Sequence, residues 1–166
     1  TQTDRFWREG EIDKVEDYLK CMRDAGVQVG LGTHIPDVVR YAEDKGWDID
    51  FYMTCFYNLG REPRHSALVT GRFQREEFRD DDPPKMIEVI QQTPKTCLAF
   101  KILAASRRCA TQEDVQDAFT YAFKNIKPID AVVVGMFPKY FDQITANVRY
   151  TLRACGIATP EQASAS

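Results

Sequence analysis

Four times along the chain a short, almost continuously apolar run is followed by a segment with helical spacing. That alternation limits the folds open to it. The runs are "VQVGLGTH" (27–34), "DIDFYMTCFYN" (48–58), "TCLAFKILAAS" (96–106) and "DAVVVG" (130–135). A strand apolar on both faces is buried on both faces, and strands alternating with helices make a parallel sheet covered by helices.

The helical segments carry their own punctuation. Ile12, Val15, Leu19 and Met22 share one face over residues 11–25, and Gly26 follows as a stop. Pro36 stands in the first turn of the next helix, where its missing N–H is harmless, and Val38, Val39 and Ala42 line the buried side. Asp82 is placed to cap a helix that turns Met86, Ile87, Val89 and Ile90 to the core. Thr111, with Asp114 three residues on, gives a near capping box ahead of a stripe of Val115, Ala118, Phe119, Ala122 and Phe123. Ile144, Val148, Leu152 and Cys155 form the stripe of the last helix.

Two α/β architectures satisfy this order: a small open doubly wound sheet, or part of a (β/α)8 TIM-type barrel. The chain starts with a helix and carries four β/α units, which fits the C-terminal half of a barrel. A whole barrel takes about 250 residues, and this chain has 166. A half-barrel leaves two open strand edges, so residues preceding Thr1, or a partner chain such as a second copy, are expected to close the ring. The half-barrel spans 1–157, with a long loop at 59–82, and 158–166 reads as a disordered tail.

Composition narrows the partners. With 43% hydrophobic and 28% charged residues the chain is an ordinary globular one, and its net charge of −3 attracts neither nucleic acid nor an anionic membrane. No apolar run approaches the ~20 residues that span a bilayer, and no signal-peptide pattern opens the chain. Five scattered cysteines without a CxxC, and two histidines, give no metal site and no disulfide framework. Reduced thiols in a cytoplasmic protein are the expectation.

The segments "VGLGTHIPDVV", "DIDFYMTCFYN", "CLAFKILAASR" and "DAVVVGMFPKYFDQITANV", in that order, resemble strands five to eight of the aldo-keto reductase barrel, over roughly residues 10–153. The resemblance implies an oxidoreductase whose NADP lies across the C-terminal ends of these strands. It puts Thr33 and His34 at the nicotinamide carboxamide, Tyr57 against the nicotinamide ring and Asn58 beside it. Gly135 and Lys139 fall at the phosphate end, and Gln143 and Asn147 match the family's Q-x-x-E-N signature. Thr54 replaces the sixth strand's usual glutamine, Ala146 the glutamate of the signature, and Phe137 stands near the place of the arginine for the ribose phosphate. The family's catalytic Asp, Tyr, Lys and His belong to strands two to four. No catalytic residue is therefore assigned, and hydride transfer to a carbonyl ligand requires the N-terminal half.

Read without the family, the same residues keep two meanings each. His34, at a strand's C-terminal end, is a ligand contact or acid–base group, or a cap for the helix at Pro36. Lys101 is poised for an anion, the cofactor's included, or even a Schiff base; otherwise it is a paired lysine at the rim. Cys55 is a core thiol, or a nucleophile with His34 as its base, while Cys97 and Cys109 are core thiols. Asp48 and Asp50 start a strand and are structural. The loop 59–82 is a lid whose Arg61, Arg64, Arg72, Arg75 and Arg79 clamp a phosphate or carboxylate, or it is a self-paired or disordered segment. On this reading the chain is a lyase, isomerase or hydrolase acting on an anionic sugar-like substrate, or a non-catalytic barrel fragment.

Overall fold

The computed structural model describes residues 1–63, 67–71 and 76–158. Arg64, Arg72, Arg75 and all but the first residue of the predicted tail lie outside the described residues. Two helices come first: α1 (Gln2–Arg8), which Thr1 caps reciprocally with Asp4, and α2 (Lys14–Asp24). Strand β1 (Gly30–Thr33) leads into α3 (Pro36–Asp44), and β2 (Phe51–Cys55) leads through a single turn, α4 (Ala67–Thr70), to α5 (Asp82–Gln92). Then come β3 (Thr96–Phe100), α6 (Gln112–Asn125), β4 (Ala131–Val133) and α7 (Gln143–Ala154). The Thr111–Asp114 pair closes a full capping box on α6.

The strands form one parallel sheet in the order β1-β2-β3-β4. Leu31, Tyr52 and Cys97 stand in register and are buried, as are Thr33, Thr54 and Ala99 one pleat further on. The helices α3, α5 and α6 pack on that face, where Tyr52 donates its hydroxyl to Glu43 of α3 (2.6 Å). Val38, Val39 and Ala42 of α3, Met86, Val89 and Ile90 of α5, and Phe119 and Ala122 of α6 fill the space between. The opposite face carries Gly32, Met53, Leu98 and Ala131 in register and is half-buried to exposed. The Phe51 ring lies over Gly30 on that face, so a Cβ there, 2.3 Å from the ring, would push the ring aside.

Several expectations are corrected. The third strand stops at Phe100 instead of Ser106, because Lys101 turns into the left-handed region (φ 60) and a tight turn follows, closed by Ala104 N–H to the Lys101 carbonyl (2.8 Å). Asp81, not Asp82, holds the N-cap position of α5 without a side-chain cap bond. The stripe on α7 is not core: Ile144 and Val148 are 53% and 54% exposed, and Cys155 is exposed. The reason is that α7 docks on α6 through Tyr150, whose ring lies 6.0 Å from that of Phe119 and whose hydroxyl reaches Gln112 (3.1 Å). This orientation buries Ala146 instead, and β4 is the outermost strand among the described residues, with nothing beyond it to cover the stripe. Met22 is likewise exposed beside β1, the other outer strand, and Cys109 is exposed in the turn before α6.

The N-terminal ends of the strands are held by charge. Arg23 forks between Asp48 (2.7 Å) and Asp50 (2.9 Å), and Asp50 also accepts the Val29 N–H (2.6 Å), which makes these carboxylates structural. Lys95 reaches Glu43 (2.8 Å) beneath Tyr52. Asp130, fully buried, accepts the N–H groups of Cys97 (2.7 Å) and Lys127 (2.8 Å) and the Lys127 ammonium (2.9 Å). Asp130→Ala removes the acceptor of two backbone N–H groups and the carboxylate partner of the Lys127 ammonium, which keeps the Ile90 carbonyl. It should cost about 3 kcal/mol in denaturant unfolding, whereas Arg23→Ala, at the surface, should cost clearly less.

Candidate functional site

A buried carboxylate organises the C-terminal end of β1. The capping box that starts α1 points Asp4 at the turn after the strand. Asp4 Oδ1 accepts from Thr33 Oγ1 (2.7 Å) and the His34 N–H (3.0 Å), and Oδ2 is 2.8 Å from His34 Nδ1. Thr33 Oγ1 in turn accepts the Ile35 N–H (3.0 Å), fixing the turn into α3. Asp4 and His34 are 1% and 5% exposed. Burial alone would raise the Asp4 pKa. Hydrogen bonds from the His34 ring, the Thr1 nitrogen, the His34 amide and the Thr33 hydroxyl outweigh it and hold the carboxyl well below the usual range. An ionised carboxylate only accepts, so Nδ1 bears the proton toward Asp4, and in the neutral form of the ring Nε2 is the acceptor. The imidazole also stands edge-on to Phe100, centroids 5.4 Å apart, which leaves it little freedom to rotate.

His34 lines a polar cavity of about 330 Å³ together with Cys55, Asn58, Arg61, Arg79 and Asp82. Its cations are tied at the rim: Arg61 to Asp82, Arg79 to Glu77 (2.7 Å), Arg40 to Asp37 (2.8 Å) and Lys85 to Asp81 (2.5 Å). Asp82 is buried, and its second oxygen, Oδ2, has no hydrogen-bond partner among the described residues. A buried acceptor in that state favours any ligand or water that brings a donor. Burial pushes the Cys55 thiol up to about 12, more than the Tyr57 amide and Lys101 offset. Cys55 therefore stays a protonated thiol, against its reading as a nucleophile.

The nine residues singled out in the sequence divide between places. His34 and Asn58 face the polar cavity, where Asn58 Oδ1 accepts the Gly60 N–H (3.2 Å). Lys101, Gly135, Gln143 and Asn147 line a second, largely apolar cavity of about 630 Å³ at the C-terminal ends of β3 and β4. Its rim includes a run with four non-glycine residues at positive φ: Lys101, Ala104, Ala105 and Ser106. Such strain persists where surrounding structure over-determines it, and it concentrates at functional sites. Lys101 is 3.5 Å from Glu76, so it is a paired lysine at the rim. Gln143 Oε1 accepts the Phe137 N–H (2.7 Å), which holds the turn after β4. Thr33 is buried on Asp4. Tyr57 is 2% exposed, with Phe78 against its ring (5.0 Å) and Arg108 on its hydroxyl (3.1 Å), so it offers no open face for stacking. Lys139 is exposed over the Tyr140 ring, outside both cavities.

Asp4, Arg40 and Lys85 were not legible in the sequence as site residues. The Thr1-x-x-Asp4 spacing is an N-cap signature, but nothing in it reveals a partner thirty residues on, at His34. Among the described residues no three His, Cys, Asp or Glu side chains gather as a metal site, and no helix is long and apolar enough to cross a membrane.

Two outcomes follow from this chemistry. Cys21, Cys109 and Cys155 are exposed while Cys55 and Cys97 are buried, both pushed up to about 12, so iodoacetamide should label three thiols in native protein and five after denaturation, by intact mass. Because the folded pKa of Asp4 is depressed, its contribution to stability is whole above about pH 4 and declines as the pH falls below it. Asp4→Asn should lower the urea midpoint at pH 7 and flatten its fall between about pH 4 and pH 2.

No family model, no curated protein and no solved structure matches this chain.

Proposed function

We propose that this chain is the site-bearing half of a (β/α)8-type enzyme that moves a proton on a small hydroxylated anion, an isomerase or lyase of sugar-acid or sugar-phosphate type. The observation that carries the reading is the buried Asp4–His34 pair opening onto a cavity lined by arginines. His34 Nε2 is the base that takes a proton from the substrate. Asp4 is a positioning residue: it fixes the tautomer and balances the imidazolium that forms. Arg79 exchanges its exposed carboxylate, Glu77, for the anionic group, and Arg61 stays on buried Asp82 while offering its remaining N–H groups, since guanidinium forks match carboxylate and phosphate. Asp82 Oδ2 accepts a substrate hydroxyl. The barrel part of the proposal is supported by a strand order that never reverses, where a doubly wound sheet reverses. Further strands then close the ring at the free edges of β1 and β4.

A second reading keeps the aldo-keto-reductase-like oxidoreductase, with NADP in the larger cavity. It is favoured by the convergence there of Lys101, Gly135, Gln143 and Asn147. The covered ring of Tyr57 weighs against it.

Proton abstraction leaves a trace that needs no prior substrate assignment. The protein should wash solvent deuterium into a carbon-bound position of at least one member of a panel of sugar acids and sugar phosphates, followed by mass spectrometry. His34→Asn should slow that exchange by about 10²-fold or more, and Asp4→Asn by about tenfold. Exchange that survives His34→Asn undiminished, or a folded protein that exchanges none of the panel while binding NADPH, contradicts the proposal in favour of the second reading.

A further inference from the structure

The two cavities lie at the same end of the sheet, and a ring from the lining of one meets a ring from the lining of the other. His34 lines the polar cavity, Phe100 lines the apolar one, and the rings meet edge-on at 5.4 Å. Beside them Cys55 of the polar cavity and Phe100 of the apolar cavity are register partners on neighbouring strands. The chemistry on the two sides differs sharply. One side offers guanidinium groups and a buried carboxylate oxygen without a donor; the other offers Ile102, Leu103, Val115, Val133 and Met136. The left-handed run that frames the apolar side replaces what would be a straight continuation of β3, and this opens the space between that strand's end and the turn at Gly135.

We infer that both cavities hold one ligand: a hydroxylated anion whose head sits in the polar cavity and whose aryl or acyl arm crosses the Phe100 ring into the apolar one. The inference rests on the proposed anion site at His34 and names its substrate class. A reacting carbon next to the head group then lies over His34, at the boundary between wet and dry surroundings. The apolar arm supplies binding, and the head group supplies orientation.

Glycolate and mandelate test this, because both carry the same hydroxyl and carboxylate and differ by a phenyl group alone. Binding to the full chain, followed by calorimetry or ligand-observed NMR, should be about tenfold or more tighter for mandelate. Arg61→Ala should weaken both. Cys109 lines the apolar cavity at an exposed position, so Cys109→Trp fills the cavity without disturbing the core. That variant should bring mandelate down to the level of glycolate, while Cys109→Ala leaves the preference intact. Glycolate binding with no gain for mandelate overturns the two-cavity ligand and leaves the anion site standing. A gain for mandelate that survives Cys109→Trp also overturns it. Binding of neither acid overturns the anion site itself.

Discussion

The carboxylate of Asp4 is the contact on which the C-terminal end of the sheet depends. Four donors converge on it from Thr1, Thr33 and His34, and it is almost completely shielded from water. A buried charge of this kind is tolerated only when its lone pairs are filled. The need to fill them dictates much else: α1 must lie against the end of β1, the Thr33–Ile35 turn must keep its tight geometry, and the His34 ring must face Asp4. Remove the carboxylate and the helix, the turn and the imidazole lose their common anchor.

The two ends of the sheet use their polar groups differently. At the N-terminal ends, Arg23, Lys95 and Lys127 are engaged with Asp48, Asp50, Glu43 and Asp130. At the C-terminal ends the polar groups are arranged around space: a cavity of about 330 Å³ by His34 and one of about 630 Å³ after β3 and β4. Backbone strain follows the same division, since among the described residues the four positive-φ residues other than glycine all fall between Lys101 and Ser106. This is the distribution expected of parallel α/β sheets, in which loops after the strands carry function and the opposite end carries stability.

Much of this fold is legible in the sequence, and the parts that are not share a cause. Periodicity finds the strands and the helices α3, α5 and α6, because each buries a face on the sheet and each face follows the local repeat. It fails on α7 and on Met22 of α2, where the apolar stripe is real but the outer strands β4 and β1 leave it uncovered. Periodicity reports what a residue prefers, not what lies opposite. The third strand is overrun for a related reason: "KILAAS" has strand-like composition, and only the backbone turn at Lys101 ends the strand. At the site, His34 stands out through its position after a strand. Asp4 does not, since its role arises from a contact between segments far apart in the chain. Tyr57 shows the converse: an aromatic at the right place in the sequence is closed off by Phe78 and Arg108, residues that no local pattern connects to it.

The central claim is that Asp4 holds a proton on His34 Nδ1, which leaves Nε2 as the ring nitrogen available to the polar cavity. The chain has two histidines, so nitrogen-15 NMR of the imidazoles, with a His65 variant for assignment, observes the tautomer directly. At neutral pH the account predicts a protonated, slowly exchanging Nδ1 on His34 and loss of that slow exchange in Asp4→Asn. A His34 ring protonated on Nε2 alone, or one whose spectrum ignores the loss of Asp4, would contradict it.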